Sequence, residues 1–104
     1  MQAAQQELGL FASQSKIDEA FWQFHKKNPQ VFARLLAMTR EARRQGKRRI
    51  GMKMLFEVIR WEHMLSTKHD DFALNNNYTS RYVRLIEELD PELGKMFEKR
   101  TIRS

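Results

Sequence analysis

Apolar residues in this chain recur every three or four positions, and nowhere do they alternate with polar ones for a useful length. That spacing places them on one face of a helix and leaves no pattern for a half-buried strand. Strong punctuation divides the periodic stretches. Asn28-Pro29 and Asp90-Pro91 each pair a capping residue with a proline, which is tolerated in the first helical turn and breaks the helix before it. Gly46 follows a basic run, where a left-handed residue ends a helix. There is no hairpin dipeptide, no internal repeat and no sustained heptad. The fold expected is an all-α, compact bundle of about five short helices.

The first firm helix is predicted over about residues 16–26, opened by a capping-box-like Ser15 and Asp18 and carrying Ile17, Phe21 and Phe24 on one face. Residues 1–15 read as a loose lead-in, 16–100 as a single helical domain, and 101–104 as a frayed basic tail. A second helix is predicted over 29–45, with Phe32, Leu35, Leu36 and Thr39 inward. A third, over 51–66, shows two stripes. Met52, Leu55, Phe56 and Ile59 form one; Met54, Val58, Trp61 and Leu65 form the other. Two apolar faces predict the most buried helix of the bundle, and Trp22 and Trp61 are expected in the core. Phe72 and Leu74 anchor an extended segment, Asn75-Asn76-Asn77 turns the chain, and helices are predicted over 78–89 and 91–100.

At 104 residues, 41% hydrophobic and 11% aromatic, the chain supports one modest core. It has no cysteine, which removes disulfides, thiolate zinc sites and a cysteine nucleophile. The first fifteen residues lack the basic and apolar regions of a signal peptide, and no apolar run approaches the ~20 residues of a membrane span. The expected location is cytoplasmic, without membrane association.

Charge is distributed very unevenly. The chain carries +6 overall. Residues 40–53 hold seven cations, Arg40, Arg43, Arg44, Lys47, Arg48, Arg49 and Lys53, against Glu41, while the other ninety residues hold twelve bases and twelve acids. A helix ending in arginines, a turn glycine and a basic entry to the next helix resemble a helix-turn-helix, with Ala42, Gly46, Met52 and Leu55 at matching offsets. Gly51 fits that pattern poorly. In such a layout Arg43, Arg44, Lys47, Arg48, Arg49 and Lys53 would neutralise phosphates. The bland reading of the same run is a solvated loop.

A second cluster starts the predicted fourth helix. Asn76, Asn77, Thr79, Ser80, Arg81 and Arg84 are side-chain types that read base edges or hold phosphates, with Arg81 and Arg84 on an outward face. The bland reading is that the asparagines cap and turn the chain.

No catalytic or metal motif stands beside these. There is no HExxH, phosphate-binding glycine loop or nucleophile elbow. His69-Asp70-Asp71 is a polar loop before it is a metal triplet, and Glu57, Arg60 and Glu62 suit pairs within one helix. No enzyme activity, cofactor or metal is expected. The expected function is nucleic-acid binding, duplex DNA first. The alternative is a protein-binding module, an inhibitor or adaptor that docks its basic patch on an acidic partner. Helix-turn-helix proteins often work as homodimers, but no residue pattern marks a dimer face.

The combination Asn28-Pro29, Arg60-Trp61-Glu62, Phe72-x-Leu74-Asn75-Asn76-Asn77-Tyr78, Arg84, Pro91 and Phe97-x-x-Arg100 resembles a group of short proteins encoded by phages, prophages and other mobile elements, over about residues 21–100. The group has no settled activity, so no residue role carries over. The resemblance implies a setting in which small basic helical proteins often regulate DNA or inhibit host machinery.

Overall fold

The computed structural model describes residues 2–67 and 72–97, with side chains from Gln14 onward. Its helices are α1 (Gln2–Lys27), α2 (Pro29–Arg44), α3 (Met52–Ser66), α4 (Thr79–Leu89) and α5 (Pro91–Gly94), with a 3-10 turn at Asn76–Tyr78 before α4. The all-α bundle of about five helices is therefore the fold. The His69-Asp70-Asp71 triplet and the tail from Thr101 lie outside the described residues.

The punctuation works as its chemistry dictates, with one exchange of roles. Pro29 opens α2 behind Asn28, but the Asn28 side chain does not cap α2. Its Nδ2 donates instead to Phe24 O at 3.1 Å, closing the end of α1. Asp90 does cap α5, its side chain accepting from the amides of Glu92 and Leu93. Gly46 takes the left-handed conformation at φ 81°.

Three boundaries differ from expectation. The lead-in is helical, because α1 runs unbroken from Gln2 and places Ser15 inside the helix. Its Gln, Ala, Glu and Leu residues are good helix formers, and a single Gly9 costs only about 1 kcal/mol against alanine. The helix expected over 78–89 begins one residue later, behind a tighter turn in which Asn75 accepts from the Asn77 amide. The last helix is a single turn, Pro91–Gly94, after which Ile50 and Phe97 pair as a parallel bridge.

The core gathers one face from each element. Phe21 and Phe24 meet Val31, Leu35 and Leu36 of α2, Phe56 and Ile59 of α3, Tyr82 and Ile86 of α4, and Leu93 beyond them. Tyr82 is fully enclosed, 4.9 Å from Phe21 and 6.0 Å from Phe56 between ring centroids. Thr39 is buried without penalty because its hydroxyl donates to Leu35 O at 2.7 Å.

The largest departure concerns α3. Met52, Leu55, Phe56 and Ile59 are buried, but the second stripe, Met54, Val58, Trp61 and Leu65, is 37–67% exposed. Trp22 is exposed as well. The helices packed against α3 are α2 and α4, and they cover the face toward the core. Periodicity reveals an apolar face but not whether the chain has an element left to cover it.

Candidate nucleic-acid interface

The basic segment is built from three pieces. The last turn of α2 carries Arg43 and Arg44, with Arg40 one turn before them. Gly46 then reverses the chain, its amide donating to Arg43 O and that of Lys47 to Ala42 O, both at 2.9 Å. These two bonds satisfy carbonyls that the helix end would otherwise leave open. Lys47, Arg48 and Arg49 follow as a non-helical strap. At its far end the Ile50 amide donates to Met96 O at 2.9 Å, and the Ile50 side chain packs on the core. Gly51 is extended at φ −102° and ψ 129°, so it opens α3 without any left-handed requirement and without a side-chain cap.

The strap changes the expected helix-turn-helix. Residues 45–51 separate α2 from α3, seven positions against the three or four of that motif. The extra length is spent reaching Met96 and Phe97, just beyond α5. The basic segment is thus an edge formed by a helix end, a pinned strap and a helix start.

Arg43, Arg44, Lys47, Arg48, Arg49 and Lys53 are all exposed. The single acid among them is already engaged: Glu41 pairs with Arg44 and accepts from Gln45 Nε2 at 3.0 Å. Among the described residues, Arg40, Arg43, Lys47, Arg48 and Lys53 have no acidic partner. Arg40 belongs with this edge, although the reading of the segment from sequence did not single it out as a contact.

The second cluster is largely absorbed in holding the fold. Arg60 Nη2 donates to Leu74 O at 2.6 Å and to Asn76 Oδ1 at 2.7 Å, and its Nη1 reaches Glu57 at 2.5 Å. One guanidinium thereby fixes the segment entering the 3-10 turn. Arg81 Nε pairs with Asp18 of α1 at 2.5 Å and its Nη1 donates to Asn77 O, leaving its side chain 17% exposed. The Thr79 hydroxyl donates to Asn76 O at 3.0 Å. Asn77 and Ser80 are exposed. Arg84 is exposed and lines an open cleft of about 730 Å³ with Glu87, Glu88, Lys95 and Phe97. Two acids and two bases leave that cleft balanced. Phe97 connects it to the strap through Ile50. Arg84 is thus the member of the second cluster that shares a neighbour, Phe97, with the strap of the first.

Glu62 does not pair within its own helix. Both its oxygens accept from Arg34 of α2, at 2.9 and 2.8 Å. The bonded guanidinium holds the Glu62 carboxyl below its ordinary pKa and raises that of Arg34. Both groups are nearly half exposed, so the pair orients α2 against α3 more than it stabilises them.

Among the described residues no group of three or more His, Asp or Glu side chains could hold a metal, and no helix is long and apolar enough to cross a membrane. Comparison with protein-family models, curated proteins and solved structures finds no match.

Proposed function

We propose that this chain binds nucleic acid, duplex DNA first, through the cationic edge at residues 40–53, as a small regulator of phage or mobile-element type. The observation that carries the reading is electrostatic. Seven cations project from fourteen residues, and the one acid among them is held by Arg44 and Gln45. A phosphate backbone suits such an edge, because each neutralised phosphate releases condensed counterions. Lys47, Arg48 and Lys53 would contact phosphates, with Arg40, Arg43, Arg44 and Arg49 beside them. Asn77, Ser80 and Arg84 keep exposed side chains for secondary contacts, whereas Asn76, Thr79 and Arg81 are occupied within the fold.

Fluorescence anisotropy with a random-sequence duplex of about 25 base pairs, at two salt concentrations, tests this. Micromolar or tighter binding that weakens steeply with salt is expected. Lys47→Ala/Arg48→Ala should weaken it on every sequence and flatten the salt slope by about one per cation removed. No binding of the intact chain at low salt overturns the reading and leaves the edge to an acidic protein surface.

A further inference from the structure

Two helices border the cationic edge, and their outward faces differ in kind. On α2 the exposed residues Gln30, Ala33, Ala37, Arg40 and Arg44 recur every three or four positions and share one face. Arg34 and Arg43 stand at its two margins. Val31, Leu35, Leu36 and Thr39 hold the opposite face in the core. The one acid of α2, Glu41, is held by Arg44 and Gln45. After Lys53, α3 exposes Met54, Glu57, Val58, Trp61, Glu62 and Leu65.

The major groove of duplex DNA sorts these two faces. It is about 12 Å wide, enough for one helix, and its floor is made of hydrogen-bonding base edges. α3 would carry two carboxylates and a row of bulky apolar side chains between the phosphates. α2 would carry arginine, glutamine and alanine. Arginine bonds guanine with two prongs, and an alanine methyl packs on the methyl of thymine. Arg40 lies between Ala37 and Arg44 on this face, with no acidic partner among the described residues. Ala33 to Arg44 is a rise of eleven residues, about 16 Å, or roughly five base pairs at 3.4 Å each.

The end of α2 that meets the strap is also compatible with phosphate. A helix C-terminus is ordinarily negative and repels anions. Here the carbonyls of Glu41, Ala42 and Arg43 each accept an amide, from Gln45, Lys47 and Gly46. Lys47 and Arg48 follow directly, both exposed.

We propose that α2, not α3, is the helix that enters the DNA, with Ala33, Ala37 and Arg40 against base edges in the major groove and the strap on the backbone beside it. The proposal rests on the nucleic-acid reading above and assigns the element that carries it. In a helix-turn-helix the roles are the reverse, and the second helix reads the groove.

Anisotropy of the full chain on two random-sequence duplexes tests this, one unmodified and one whose cytosines carry glucosylated hydroxymethyl groups, which fill the major groove. The filled groove should weaken binding about tenfold or more, the worth of one good base-edge pair. Ala37→Trp adds bulk without charge at an exposed position. It should weaken binding to the unmodified duplex by a similar factor, at an unchanged melting temperature. Trp61→Ala, on the exposed face of α3, should bind as tightly as the parent. Equal binding of the parent chain to the two duplexes overturns the proposal. So does a folded Ala37→Trp variant that binds like the parent, or a Trp61→Ala variant that loses the duplex. In those three cases the nucleic-acid reading stands, because the parent still binds unmodified DNA. A parent chain that does not bind unmodified duplex overturns both.

Discussion

Tyr82 has no surface exposure, and its hydroxyl finds no hydrogen-bond partner among the described residues. Burial, then the nearby Tyr78, pushes the phenol well above its ordinary pKa. The folded chain therefore holds the proton after the unfolded chain has released it. Stability from the neutral phenol is fully present below the ordinary tyrosine value, about 10, and is lost as pH rises through the folded value. Tyr82→Phe removes an unsatisfied polar atom and keeps the ring. Urea denaturation at neutral pH should find the variant equal to the parent or up to about 1 kcal/mol more stable, and its advantage should widen above about pH 10. Arginines show where sequence reading ends at this scale. The Asn75–Asn77 turn was legible as a cap, but Arg81 read as outward because its partner Asp18 is 63 residues away. Arg60 read as a partner for its own helix, and its bonds to Leu74 and Asn76 became visible only once the chain had folded.

Elements were legible where local chemistry decides them. Asx-Pro pairs and Gly46 marked three helix ends correctly, and the buried stripes of α2, α3 and α4 follow their spacing. Failures came where a neighbour decides. The second stripe of α3 looks like core from its spacing, yet no described element of the chain covers it. The close seating of α5 on α4 leaves no sequence signal except a small residue. A Cβ built on Gly94 would lie 2.1 Å from Glu87 Cγ and 2.9 Å from Glu87 Cα. The second of these is backbone and cannot swing aside. Gly46 is the opposite case, with open space around it but a left-handed φ. Gly94→Ala should therefore cost about 3 kcal/mol by forcing α4 and α5 apart, and Gly46→Ala about 1 kcal/mol through backbone strain alone. Thermal and urea unfolding of the two variants checks the order.

For the whole molecule, the segregation of charge was plain from sequence, because net charge needs no fold to be counted. What sequence could not supply was the shape that displays it. If the edge engages about six phosphates, the logarithm of affinity should fall with a slope near −5 against the logarithm of salt, or roughly a thousandfold between 50 and 200 mM. A much shallower slope in the anisotropy titration would mean that most of the cations stay in solvent.

The strap is tied at both ends, to the close of α2 through Gly46 and to Met96 through Ile50. Lys47, Arg48 and Arg49 are thus the span of a clasped loop. The conformational entropy of ordering their backbone is lost when the chain folds and need not be lost again when a partner arrives. The clasp also joins distant parts of the sequence. The span between positions 46 and 50 keeps its shape only while residue 96 holds the far anchor, so cutting the chain before Met96 would slacken a loop almost fifty residues upstream without touching one of its charges.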